Sequence, residues 1–122
     1  MTKAIAYRRG QSDDRPWGKW EVLDVGAQHI IKRITVNPGH VLSLQYHDHR
    51  NEHWVIVRGS ATVTLGEETS KKGENQALYI PAGTKHRIGN DGPGILEFIE
   101  IQTGEILSED DITRIEDSYG RS

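Results

Sequence analysis

The chain has 122 residues, a formal net charge of -3 and no cysteine. That length suits a single domain with a workable apolar core. The charge offers no basic field to nucleic acid, and the lack of cysteine excludes disulfides and thiolate metal sites.

Taken in order, the start "MTKAIAYRRGQSDDRPWG" has no long apolar run, so no signal peptide or membrane span is expected, and a cytoplasmic protein is the default. Residues 1–13 read as a flexible polar arm. From Trp17 onward short β-rich runs follow one another: "KWEVLDV", "HIIKRITV", "VLSLQYH", "HWVIV", "ATVTL", "ALYI", "HRIGN" and "ILEFIEIQ". Gly, Pro and Asn clusters such as "NPGH", "RGS", "PAGTK" and "NDGPG" separate them. This spacing predicts an all-β sandwich or barrel over residues 14–107. The tail, residues 108–122, predicts a short C-terminal helix that closes the barrel. Ser108 is its N-cap, acidic residues fill its first turn, and Ile112 and Ile115 share a face.

The stretch "LSLQYHDHRNEHW", residues 42–54, concentrates groups able to carry chemistry. In a strand, alternate side chains share a face. Gln45 and His47 then point one way, and Leu42, Leu44 and Tyr46 the other. In the next run Arg50, Glu52, Trp54 and Ile56 share a face. If the two runs are adjacent antiparallel strands, Gln45, His47 and Glu52 meet in one interior, and His86 of "PAGTKHRIGN" can join them. Those four are the expected metal ligands. His29 and His40 lie near turns, His53 falls on the Val55 and Val57 face, and His49 is ambiguous. Leu42, Leu44, Tyr46, Val55 and Val57 give the strand pair a second apolar face, which predicts a homodimer.

These residues resemble a known family. "PGHVLSLQYHDHRNEHWVIVRG" is similar to the first cupin motif through Gly39, Gln45, His47, Glu52 and Gly59. "PAGTKHRIGN" is similar to the second through Pro81, Gly83, His86 and Asn90. From Arg15 to Arg121 the chain more narrowly resembles the type II mannose-6-phosphate isomerase domain, in "LSLQYHDHRNEHW" and "EDDITRIEDSYGR" above all. Tyr46 and Asp48 stand where relatives often have Met and His. The resemblance implies a cupin (jelly-roll) barrel whose metal ligands are Gln45, His47, Glu52 and His86. In many relatives a mannose-1-phosphate guanylyltransferase domain precedes this one. No Gly-rich nucleotide loop occurs in the 122 residues, so nucleotide transfer is not carried over.

The implied activity is interconversion of mannose 6-phosphate and fructose 6-phosphate by enediol proton transfer. Mixed nitrogen and oxygen ligation suits zinc for such non-redox chemistry, with Mn, Fe, Co or Ni also able to occupy it. Arg50, Lys32 and Arg114 are the expected sugar-phosphate contacts, while Arg33 and Arg121 read as surface charges. Glu100 shares parity with Leu96 and Phe98 and is the first choice for the proton-transfer base, with Lys32 and Arg50 beside it. Two other functions fit the same residues. One is a non-catalytic sugar-phosphate-binding module. The other is an iron dioxygenase using the triad His47, Glu52 and His86.

Overall fold

The computed structural model describes residues 7–108 and 110–116. The first strands are β1 (Ser12–Arg15), β2 (Gly18–Val25), β3 (His29–Val36), β4 (Leu44–Tyr46), β5 (Asn51–Arg58) and β6 (Ala61–Leu65). There follow β7 (Glu68–Lys72), β8 (Ala77–Ile80), β9 (His86–Gly89), β10 (Leu96–Thr103) and β11 (Thr113–Glu116). No described residue is helical, and no helix is long and apolar enough to cross a membrane.

Period-two alternation explains why these runs are strands. In β3 the residues Ile30, Lys32, Ile34 and Val36 are buried, and the residues between them are half-buried. In β10 the buried set is Leu96, Phe98, Glu100 and Gln102. β-branched residues fill both runs and fit a pleated, half-buried surface. The strands form two antiparallel sheets. One has the order β1-β2-β3-β10-β5-β8, the other β11-β4-β9-β6-β7. Their apolar residues form one core that includes Trp20, Ile34, Ile56, Val63, Ile88 and Phe98. Each such side chain contributes roughly 1.5–3 kcal/mol when fully buried. The predicted all-β barrel is therefore present.

Two motif glycines have a steric reason. Gly59 has φ +84, and a Cβ there would lie 2.6 Å from the Ile95 carbonyl oxygen. Gly83 has φ +83 in the turn that Thr84 N closes onto the Pro81 carbonyl, and its own N–H donates to the His47 carbonyl at 2.7 Å. Only glycine adopts that conformation without strain.

The tail departs from expectation. Ser108 does cap a turn, since its Oγ accepts from Asp110 N at 3.1 Å, and Asp111 N donates to the Ser108 carbonyl. The chain then extends as β11 and pairs with β4, Arg114 opposite Gln45. Two isoleucines three apart are too weak a signal to hold a short helix. β4 has a free edge, and the β-branched run Ile112, Thr113, Ile115 fits it. Glu109 and residues 117–122 lie outside the described residues.

Three further expectations change. Within the expected flexible arm, Tyr7 is buried and packs edge-on to Trp20 at 6.1 Å. Ser12 and Asp13 already belong to β1, while residues 1–6 lie outside the described residues. β4 and β5 are not adjacent: they lie in different sheets. The segment between them carries the chain from one sheet to the other instead of closing a hairpin. The apolar face expected to carry a homodimer is split as a result, and Leu42 is buried in the core.

Candidate metal centre

The crossing just described is what assembles the site. In the larger sheet Glu100 stands opposite both Lys32 and Trp54, and Gln102 opposite Glu52. All five side chains lie on the inward face. In the smaller sheet Arg114, Gln45 and His86 form one cross-strand row. All of these except Gln102 line one cavity with His47 and Arg50. Gln45, His47 and Glu52 thus meet from opposing walls.

His47, Glu52 and His86 offer ligand atoms that all lie within 4.8 Å of one another. His47 Nε2 is 3.2 Å from Glu52 Oε2, and His86 Nε2 is 4.0 Å from Glu52 Oε1. Each imidazole is oriented from behind. His47 Nδ1 lies 2.6 Å from the Asp111 carbonyl oxygen, and His86 Nδ1 lies 3.0 Å from that of Thr84. A carbonyl only accepts, so each Nδ1 carries the proton and each Nε2 turns a lone pair toward the centre. Burial and the charge of Arg50 push His47 down to about 3, so it stays neutral.

Gln45 lines the same cavity. Its Oε1 is buried and has no hydrogen-bond partner among the described residues. A buried amide oxygen left without a partner is costly, and a cation among these groups would satisfy it. Two imidazoles, one amide and one carboxylate are a donor set that fits a divalent metal.

Glu52 is enclosed. Arg50 Nε donates to Oε2 at 2.8 Å, and Trp54 Nε1 donates to Oε1 at 2.9 Å. Burial pushes its carboxyl up, but Arg50, His86 and a hydrogen bond with Glu100 together more than offset this and hold it at about 2. Glu100 is the contrary case. Burial and the neighbouring Glu52 charge raise its pKa, against the pull of Lys32 and Arg50. Its Oε2 accepts from Gln102 Nε2 at 2.7 Å, and its Oε1 accepts a longer bond from Trp54 Nε1 at 3.2 Å.

The expected cations fall in different places. Lys32 is buried, with Nζ 4.2 Å from the Tyr7 ring centroid and 4.3 Å from that of Trp20. Arg114 reaches the cavity from β11. Arg50 is buried and commits its donors to Glu52, His47 and the Ser108 carbonyl. Arg33 lies outside the cavity beside Glu21. The other histidines stay out as well: His29 pairs with Asp24, His49 is exposed, and His53 stacks on Tyr79 at 4.6 Å. Sequence reasoning missed Tyr7, Arg15 and Trp17 as lining residues, and Asp111 as the support of His47. Trp20 could have been found from its parity with Val22 in "KWEVLDV"; Tyr7 and Asp111 carried no local signal.

Comparison with known proteins identifies the family and the fold. The family model described as "Mannose-6-phosphate isomerase C-terminal" matches residues 5–117. Xanthan biosynthesis protein XanB of Xanthomonas campestris pv. campestris is 55% identical over 108 residues, which are 88% of this chain and 23% of XanB. Mannose-1-phosphate guanylyltransferase ManC of Salmonella typhimurium is 50% identical over 107 residues, 88% of this chain and 22% of ManC. The chain thus spans less than a quarter of these relatives. In fold, the Cnp3 cupin domain of Schizosaccharomyces pombe superposes with a TM-score of 0.68 at 16% identity, over 70% of this chain and 64% of that one. With a cupin barrel and a match over nearly its whole length, the chain belongs to the mannose-6-phosphate isomerase C-terminal family.

Proposed function

We propose that the chain is a metal-dependent aldose–ketose isomerase that interconverts mannose 6-phosphate and fructose 6-phosphate. One observation carries this reading. A single cavity holds His47, Glu52 and His86 beside a buried carboxyl group of raised pKa, Glu100, and the cations Lys32, Arg15 and Arg114. The family description points the same way. The names of XanB and ManC belong to much longer proteins, and nucleotide transfer is no part of the proposal.

In this reading Gln45, His47, Glu52 and His86 hold the ion. When bound, it supplies Lewis acidity toward sugar oxygens that gain negative charge. The single carboxylate among the ligands leaves about one positive charge on the centre. Glu100 moves the proton. As a carboxylate it takes the proton from C2; the C2–H electron pair becomes the C1–C2 double bond, the C1 oxygen takes on the negative charge, and the proton of the C2 hydroxyl passes to it. The same proton then returns to C1 while the oxygen at C2 becomes the carbonyl. A carboxyl whose pKa lies above its ordinary value is suited to both halves. Trp17, Trp20 and Trp54 wall the cavity and keep its dielectric low. The phosphate falls to Lys32, Arg114 and Arg15, because the donors of Arg50 are already engaged. Arginine adds bidentate contacts that lysine cannot. A dioxygenase would need only His47, Glu52 and His86, and leaves Gln45 and the cavity cations without a task.

Metal analysis of the purified chain followed by a coupled assay on mannose 6-phosphate tests the proposal. Turnover should disappear on chelation and in His86→Ala, which should also lose the metal. Binding of the sugar phosphate without turnover, or full activity in His86→Ala, overturns it; the former leaves the non-catalytic binding module.

A further inference from the structure

Arg50 is placed where a cation is expected. Arg50 is 7% exposed, and its guanidinium touches two of the groups that converge in the metal centre. Nε donates to Glu52 Oε2 at 2.8 Å, and Nη2 lies 3.2 Å from His47 Nε2. From the other side Nη1 donates to the Ser108 carbonyl at 3.3 Å. Because His47 Nδ1 spends its proton on Asp111, Nε2 has one lone pair, and Arg50 points a donor at it. An ion held by His47 needs that same lone pair.

We propose that Arg50 is a built-in stand-in for the ion: it balances the charge of the metal-free centre and competes with the ion for His47 and Glu52. This rests on the metal-centre reading above and states how the affinity of that centre is set. With neither an ion nor Arg50, the buried Glu52 carboxylate would lose the cation that contacts it at 2.8 Å. Such a charge without a counter-charge is strongly unfavourable, and Arg50 removes the problem. With an ion present, two cations crowd one carboxylate in a low-dielectric cavity, and their repulsion disfavours loading. The Arg50–Glu52 contact can persist then, but the contact on His47 Nε2 must be given up. Arg50 therefore stabilises the metal-free protein and weakens ion binding. A residue that merely props Glu52 in place would do the reverse for affinity, since its loss would loosen the ligand.

The sign of that effect is the test. The full chain, stripped of metal, is titrated with zinc against a chromophoric chelator, as wild type, Arg50→Met and Arg50→Lys. Arg50→Met should bind zinc about tenfold tighter or more, while its metal-free form melts at lower temperature. Arg50→Lys keeps the charge but not the fork of donors and should fall between. Equal or weaker zinc affinity in Arg50→Met overturns the proposal. If that variant folds only with zinc, Arg50→Lys and a pair of wild-type crystal structures decide. Nη2 should contact His47 Nε2 without zinc and leave it on loading; a contact kept with zinc bound to Nε2 overturns the idea. Zinc affinity equal in all three proteins removes only the role of Arg50. No zinc binding by any of them removes the metal centre itself, and the proposal with it.

Discussion

At position 100 two influences oppose each other. Burial and the charge of Glu52 favour the protonated acid, and Lys32 and Arg50 favour the carboxylate; the first pair prevails. Trp54 ties the two carboxyls together, since its Nε1–H lies 2.9 Å from Glu52 Oε1 and 3.2 Å from Glu100 Oε1. One indole thus faces both a carboxyl that remains charged and one whose pKa is raised. Glu100→Gln keeps the volume and the acceptor for Trp54 and removes only the titrating oxygen. The expected outcome is a kcat lower by ~10² with little change in KM. Metal content should be largely kept, because Glu100 is not among the groups whose ligand atoms converge. Turnover close to wild type in the coupled assay would strike Glu100 from the mechanism.

Among the elements, β11 and the turn before it do more than close an edge. The Asp111 carbonyl orients His47, and its carboxylate accepts from Asp48 N at 2.8 Å and His49 N at 2.9 Å. The crossing between the sheets, which brings His47 toward Glu52, is therefore pinned by a residue far along the chain. Asp111→Ala should lower stability by about 1–3 kcal/mol and zinc affinity by roughly tenfold. Denaturation and a zinc competition assay would read the two effects, and unchanged zinc affinity would reduce Asp111 to a loop clamp. This long-range support shows where sequence reading stops. Gln45, His47, Glu52, Trp54 and Glu100 could be assigned to faces because strand parity is local and strict. Gly59 and Gly83 marked turns that only glycine makes without strain. The partners of each strand are not local. "HDHRN" reads equally well as a hairpin turn or as a crossing between sheets, and only packing separates the two. Tyr7 and Arg15 reach the cavity for the same reason, through a β1–β2 pairing that no spacing announces. The expected helix at the tail failed because an open edge on β4 outweighed a weak periodic signal.

For the molecule as a whole, the buried charges fix how stability follows pH. His47 in the folded protein is held at about 3 against an ordinary 6.5, first by burial and then by Arg50. The unfolded chain thus binds a proton below about pH 6.5 that the folded chain refuses down to about pH 3. Stability must fall with pH across that window, at up to about 1.4 kcal/mol per pH unit for this one group. Glu52, held at about 2 against 4.5, adds a loss of the same sign at the acid end. Glu100 acts oppositely. Its pKa is raised, so its contribution is present below the ordinary carboxyl range and is lost as pH rises through the folded value. With the opposing group removed, metal-free Glu100→Gln should therefore melt progressively lower from about pH 7 to about pH 4, by calorimetry in the presence of a chelator. Glu100→Gln should melt higher than wild type at neutral pH, where the buried charge costs most, and lose that advantage below the ordinary carboxyl pKa. A flat profile for Glu100→Gln between about pH 6.5 and pH 4 would mean that His47 is protonated inside the folded chain. Its Nε2 would then have no lone pair to offer, and the charge assignment of the centre would have to be redrawn.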